Sequence, residues 1–349
     1  MLIQTSPPEQ TASYDAYLKQ HPYGLLYYSS KYKNFLKQLL QCEEIYLLAT
    51  ENGVIKGILP LMYLESSEGR IYNSLPYYGS NGFVLADTPE AFDALAATYN
   101  NIVADPATAS ATVVENPFVD QTADAVTHNF TDQRIAQFTD IADFSDDEDP
   151  MQALINQIDN SAKRNIKKAL REEINIEIDN TKLNFLQKTH QDNMRAIGGL
   201  PKSDEFFRLI PKHFTPGEDY NIYIAKKSDK AIAALLLFYF NQTVEYFTPA
   251  IQNEYRSSQP LALIIITAMV DAYQRGFKYW NWGGTWISQT GVYRFKRKWA
   301  AQEKTYHYYT QLNNKSLLNA SPEHLVKTYP NFFVLPFSQL TQSGGSRGK

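Results

Sequence analysis

The chain has one cysteine in 349 residues, and a single thiol excludes an internal disulfide framework. That fits a reducing compartment, and a cytoplasmic protein is expected. Cys42 is a poor nucleophile, because its setting Gln-Cys-Glu-Glu puts acids beside the thiol and raises its pKa. Histidine is scarce as well. The six residues each stand alone, and there is no Gly-x-Ser-x-Gly, no His-Glu-x-x-His, no Cys/His pairing and no Walker loop. These absences argue against hydrolases and metalloenzymes, and neither a metal nor a bound cofactor is expected. Long apolar runs are missing: the tracts around Ala231–Phe240 and Leu261–Val270 are far too short to span a bilayer. The first ten residues have no basic region followed by an apolar one, so no secretory leader is expected. A net charge of −4 predicts no general attraction to nucleic acid or anionic lipid. Any polyanion has to be met by a local cluster.

What is present is a balance of 44% hydrophobic and 20% charged residues, enough to bury a sizeable core, over a length that suits two domains. Helical spacing predicts helices at 13–19 and 30–41, the second with Tyr32, Phe35, Leu36 and Leu39 on one face. Asn52-Gly53 between two apolar strands reads as a hairpin turn. A strand at 71–75 breaks into a loop of tyrosines and small polar residues, followed by a helix at 89–100 and a strand at 111–114. The acidic segment 140–149, ending at Pro150, reads as a boundary. Beyond it one long helix is predicted over 151–173, then helices at 184–197 and 203–210. A hairpin at 221–240, a strand at 243–248, a helix at 261–275 closed by Gly276, and a strand at 279–282 follow. Each half therefore orders helix, hairpin, strand, loop, helix, strand, which suggests a duplicated α/β unit. A last aromatic strand is expected at 305–311, and the Gly- and Ser-rich tail 343–349 reads as disordered.

The stretch from Trp280 to Trp299 holds all four tryptophans, three glycines and four cations, the composition of a site. In Arg294-Phe-Lys-Arg-Lys-Trp299 an extended backbone would put Arg294, Lys296 and Lys298 on one face; the structural alternative is an edge strand with snorkelling cations. The basic run Lys163–Arg171 reads as a solvated helix face or, if it faces a cleft, as a phosphate clamp. Acetyltransferases that cradle a pyrophosphate use Arg-x-x-Gly-x-Gly/Ala. The matching place here is Arg256-Ser-Ser-Gln-Pro-Leu-Ala262, without the glycines.

Tyr279-Trp-Asn-Trp-Gly-Gly284 followed by Gly291-Val-Tyr-Arg-Phe-Lys-Arg-Lys-Trp-Ala300 resembles the C-terminal motif of the FemAB-like branch of the GNAT superfamily. Leu75-Pro-Tyr-Tyr-Gly-Ser-Asn-Gly82, Arg164-Asn-Ile-Lys-Lys-Ala169, and Tyr246 through Tyr255-Arg256 extend the likeness over nearly the whole chain. The resemblance implies an α/β (α+β) fold of two tandem GNAT-like lobes, each a mixed, mostly antiparallel sheet flanked by helices, with a cleft between them. Lobe 1 would span 1–148, with 318–342 returning to it, and lobe 2 149–317. It further implies an acyl or aminoacyl transferase forming an amide on a primary amine of an amino sugar, peptide or lipid-linked, phosphorylated envelope precursor. The donor would be acyl-CoA or aminoacyl-tRNA, bound as a substrate. Partners would then include tRNA and, peripherally, a membrane, but not DNA. Among residues, Lys296 of Phe-Lys-x-x-Trp would steady the reacting carbonyl, and Lys37 and the cations Arg164, Lys167 and Lys168 would meet phosphate. Tyr77, Tyr78, Ser80, Asn81, Arg256, Trp282, Gly283 and Arg294 complete the expected binding set. Glu245, beside Tyr246, is the candidate acceptor of the amine proton. The chain departs from the family at Ala300-Ala301, where a glycine is usual, and it lacks the long coiled-coil insertion of some tRNA-dependent relatives. The competing reading is a catalytically inactive GNAT-like module that binds a glycan, a phosphorylated precursor or a protein.

Overall fold

The computed structural model describes residues 1–5, 10–77, 81–119, 125–142 and 149–341. Tyr78, Ser80, the tail 343–349 and most of the acidic segment, 143–148, lie outside the described residues. In chain order the elements are β1 (Leu2–Thr5), α1 (Thr11–Gln20), α2 (Ser30–Leu40), β2 (Glu43–Glu51), β3 (Val54–Ser66), β4 (Gly69–Asn73), β5 (Leu85–Ala86), α3 (Pro89–Val103), β6 (Thr108–Val114) and β7 (Phe130–Asp140). They continue with α4 (Pro150–Gln157), α5 (Asn160–Arg171), β8 (Asn175–Ile178), α6 (Leu183–Ala196), α7 (Asp204–His213), β9 (Tyr220–Lys227), β10 (Lys230–Phe240) and β11 (Thr243–Ile251). The last are α8 (Pro260–Gln274), β12 (Tyr279–Trp286), α9 (Thr290–Arg297), β13 (Gln302–Leu312) and α10 (Pro322–Thr328).

Two compact units divide the chain: residues 1–134 with 305–349, and residues 135–304. In the first, the strand order is β1-β2-β3-β4-β6-β13. β2 and β3 form the hairpin that Asn52-Gly53 predicts, both turn residues taking positive φ (51° and 79°) as such a turn demands. β3 and β4 are antiparallel, whereas α3 carries the chain over to β6, which pairs with β4 in parallel. Leu47, Leu59, Phe83, Leu95 and Tyr99 close the core beneath α3.

The second unit repeats this wiring. β9, β10 and β11 run antiparallel, α8 crosses over, and β12 pairs with β11 in parallel. Helix α8 starts on Pro260, which has no N–H for the helix to leave unsatisfied, and stops before Gly276 at φ 84°. Its apolar residues Leu263 to Ile266 are buried against the sheet together with Ile166 and Ala169 of α5 and the tryptophans 280, 282 and 299. Each unit is thus a mixed, mostly antiparallel sheet with helices, as the family resemblance implies.

Three local expectations change. The predicted helix 151–173 is two helices, because Asp159 is extended and its carboxylate caps α5 by accepting from Ser161 N at 2.7 Å. The segment 294–299 is helical and not extended: α9 runs to Arg297, and the one-face grouping of Arg294, Lys296 and Lys298 is lost. Helical spacing instead turns Lys296 and Trp299, three residues apart, inward while Arg294 and Arg297 stay exposed. Strand β7, polar at alternate positions, was not expected at all, yet Gln137 and Thr139 on it are buried.

Candidate active site

Strand β12 alternates in the second unit so that Trp280 and Trp282 face α5 and α8 while Asn281 between them points to the opposite side, opposite Glu245 of β11. The paired residues are Thr243–Tyr279, Val244–Trp280 and Glu245–Asn281; beyond that point β11 continues to Ile251 and β12 to Trp286 outside the register. A slip in the β10–β11 register between Leu236 and Leu237 lies beside this divergence. The parallel pairing therefore stops at Glu245 and Asn281, where the two strands part.

At that point a chain of hydrogen bonds joins two of the expected catalytic side chains. The Asn281 amide donates to Glu245 Oε2 at 2.9 Å, and its Oδ1 accepts from Gly283 N at 2.9 Å. The Lys296 ammonium, reaching in from α9, donates to Gly283 O and Gly284 O at 3.1 Å each and to Thr285 Oγ1 at 2.7 Å. Lys296 is 6% exposed and Glu245 1%. Burial pushes the Lys296 pKa down to about 7, so that this lysine changes charge at neutral pH. Thr285 in turn donates to Gln137 Oε1 at 3.3 Å, and Gln137 Nε2 donates to Tyr293 O at 3.2 Å, fastening the turn to both β7 and α9.

Aromatic rings support the turn from beneath. Trp282 lies 4.9 Å from Tyr246, 5.7 Å from Trp280 and 6.0 Å from Trp299, and its Nε1 donates to Thr139 Oγ1 at 2.9 Å. Thr139 donates onward to Trp299 O at 2.8 Å. Trp282 is thus built into the core below Lys296, and burial drives the Tyr246 hydroxyl pKa well up, which keeps it protonated. Gly283 sits at φ 70°, with nothing within 4 Å of a built Cβ. Gly283→Ala has the space but not the backbone, and should cost about 1–2 kcal/mol in a chemical denaturation curve while displacing the carbonyl that holds Lys296.

The other expected site residues are placed as follows. On α5, Arg164, Lys167 and Lys168 lie on the side away from the buried Ala162, Ile166 and Ala169. Arg294 is exposed on α9. Arg256 donates from Nε to Asn253 Oδ1 at 2.9 Å, in the turn before α8. That turn is a poor anion cradle: Pro260 has no N–H, Gln259 N donates to Arg256 O at 3.3 Å and Ala262 N to Gln259 O at 3.0 Å. In the first unit Lys37 is paired with Glu44 at 2.6 Å and Glu43 at 3.6 Å, and the Glu44 pair raises its pKa. Tyr77 takes φ 84°, and Asn81 is buried and donates to Glu115 O at 3.5 Å. Burial and Glu44 push the Cys42 thiol up to about 12, against a nucleophilic role. Among the described residues no cluster of His, Cys, Asp or Glu could hold a metal ion.

Asn281, Thr285, Gln137 and Thr139 are the site residues that motif reading passed over. Asn281 carried a usable signal, a polar residue alone between two tryptophans on a strand. Gln137 and Thr139 carried none.

Residues 156–297 match the family model of the Acetyltransferase (GNAT) domain. Among solved structures, FemX superposes with a TM-score of 0.71 at 15% identity, over 91% of this chain and 98% of that one. A C-terminal domain (DUF2156) assigned to a lysylphosphatidylglycerol synthetase of Agrobacterium fabrum gives a TM-score of 0.57 at 12% identity, over 95% and 100% of the two chains. A Bacteroides thetaiotaomicron protein of unknown function gives 0.56 at 9%, over 89% and 99%. At these identities the likeness is one of fold. No curated protein matches the sequence. The matched GNAT segment contains the Glu245–Asn281–Gly283–Lys296 chain in full.

Proposed function

We propose that the GNAT domain transfers an acyl or aminoacyl group to a primary amine of a cell-envelope precursor, with Lys296 as the group that meets charge developing on the carbonyl oxygen. The observation that carries this reading is a buried lysine with no carboxylate partner among the described residues, held where β11 and β12 part. A cation kept in a dry setting is worth far more to a developing oxyanion than one in water. The amine attacks the carbonyl carbon, the oxygen gains charge near Lys296, and the leaving group departs as the amine proton passes to a base. Glu245 is joined to the same turn through Asn281 and is the base we assign. The FemAB-like motif and the fold shared with FemX favour an envelope acceptor.

The self-satisfied turn before α8 favours a donor that is not gripped by a pyrophosphate there, and so an aminoacyl-tRNA over acyl-CoA. Thermal unfolding of the purified protein with acyl-CoAs, aminoacyl-tRNA and UDP-amino sugars tests this, since a ligand of the folded state raises the midpoint. Stabilisation by acyl-CoA alone would overturn the donor assignment. The competing reading, a binding module without catalysis, rests on one feature: Lys296 directs its ammonium to three acceptors of its own chain.

The pH dependence separates the two. If the Lys296 ammonium stabilises the oxyanion, turnover at saturating acceptor should fall as pH rises through about 7, where Lys296 loses its proton. Stability should move the other way. The folded-state pKa is depressed from 10.5 to about 7, so the unfolded chain binds more protons between those values and stability from this group rises with pH across that window.

A further inference from the structure

A basic and apolar surface on the second unit is left over by the site described above. The turn from β12 into α9 exposes Trp286 (49%), Ile287 (59%) and Val292 (45%), with Phe295 (37%) one helical turn further on. Apolar residues exposed side by side are unusual on a surface that faces only water. A second apolar tip, Ile197 and Leu200 at 71% each, follows α6. Asn193 near the end of α6 is tied to the last residue of β11, donating to Ile251 O at 2.8 Å and accepting from Ile251 N at 2.9 Å. Because β11 and β12 are parallel, Ile251 and Trp286 end at the same edge of the sheet. Both apolar tips therefore stand at the end where the strands have separated.

Cations border the turn. Arg294 and Arg297 are exposed on α9, and Lys298 O accepts from Asp159 N at 2.8 Å, which brings the end of α9 to the start of α5. Helix α5 is Asn-Ser-Ala-Lys-Arg-Asn-Ile-Lys-Lys-Ala-Leu-Arg, with five cations and no acid, and Leu170 stands 58% exposed among them. Of the acids that adjoin this face, Asp159 is held mainly by hydrogen bonds from Ser161, with smaller contributions from Lys298 and Arg164, Glu172 pairs with Lys227, Glu303 lies 3.8 Å from Arg297, and Glu173 is exposed after α5. A chain of net charge −4 thus concentrates positive charge beside exposed aliphatic and aromatic side chains.

We infer that this end of the second unit docks on an anionic bilayer, with Trp286, Ile287 and Val292 entering the headgroup and acyl boundary and the α9 and α5 cations lying on the anionic headgroups. Aliphatic tips distinguish a bilayer from a nucleic acid, since isoleucine and valine offer no ring for a base to stack on. Docking in this pose would hold the place where β11 and β12 part at the membrane surface. The inference deepens the lipid-linked option for the acceptor, but it stands on the surface and is tested without any transfer reaction.

The full chain carries its own reporter. Trp280, Trp282 and Trp299 are buried, so a change in tryptophan emission on binding reads Trp286. Sedimentation with phosphatidylglycerol/phosphatidylcholine vesicles should carry the protein down, and with phosphatidylcholine alone should not. Emission should shift to the blue, and Trp286→Phe should remove the shift. Ile287→Asp with Val292→Asp should weaken vesicle binding at least tenfold while leaving the unfolding midpoint and transfer to a water-soluble acceptor unchanged. No binding to anionic vesicles, binding insensitive to the double substitution, or retention only by tRNA would overturn the inference. No transfer by the unsubstituted chain from either donor class, with vesicle binding intact, would overturn the proposed function instead.

Discussion

Lys296→Met is expected to lower turnover by about a hundred- to a thousandfold, the range associated with losing one preorganised donor to an oxyanion. Methionine has a similar length and no charge, so it fills the same space beneath Gly283 and Gly284 while removing the ammonium. The fold should survive. Three hydrogen bonds are lost, but a buried cation is lost with them, and these effects oppose one another. The rise of stability with pH above about 7 that Lys296 contributes should vanish in the variant, which gives a readout independent of activity. A variant that loses turnover and also unfolds would be explained by the turn alone. One that keeps its unfolding midpoint and loses turnover assigns the chemistry to the ammonium.

Asn281→Leu is the second large effect, and it falls on stability. The amide bridges a carboxylate that is 1% exposed and the backbone N–H of Gly283. Leucine is close in volume and supplies neither bond, so Glu245 loses the Asn281 donor while remaining buried. Removing a donor from a buried polar group costs about 1–3 kcal/mol. In a unit of this size that corresponds to a fall in midpoint of about 5 °C. Asn281→Asp separates this cause from lost packing. It sets a second carboxyl against Glu245, and like charges at close range raise the pKa of the pair, so its cost should shrink as pH is lowered and one carboxyl takes up a proton. Thermal unfolding at several pH values checks both substitutions, and a cost for Asn281→Asp that does not change with pH would contradict the bridging role.

Local chemistry with a single backbone solution was legible in the sequence. Asn52-Gly53 could form only a tight hairpin turn, Pro260 and Gly276 marked both ends of α8, and the repeated order of elements gave the duplicated unit. The segment 294–299 misleads because Arg294, Lys296 and Lys298 recur at alternate positions, with Phe295 and Trp299 between and beyond them, a pattern that suits a strand. What decided it was tertiary: Lys296 is drawn to two carbonyls and a hydroxyl eleven to thirteen residues earlier, and Trp299 packs on Trp282, and a helix brings both inward together. The break at Asp159 also depended on a distant partner, the carbonyl of Lys298. Strand β7 stayed hidden because its buried residues are Gln137 and Thr139, which a hydrophobic pattern does not register. Lys37 was read as free to meet a phosphate, and the hairpin beside it supplies Glu43 and Glu44.

The central claim is that the place where β11 and β12 part is a transfer site acting through Lys296. Mass spectrometry of amine acceptors, amino sugars and lipid-linked or UDP-linked peptides, after incubation with aminoacyl-tRNA or acyl-CoA and the purified chain tests it most directly. The account predicts an acceptor heavier by one acyl or aminoacyl residue, resistant to hydroxylamine as an amide is, with the wild-type chain and not with Lys296→Met. The same product formed equally by Lys296→Met, or no product from either donor class with acceptors shown to bind, would contradict it.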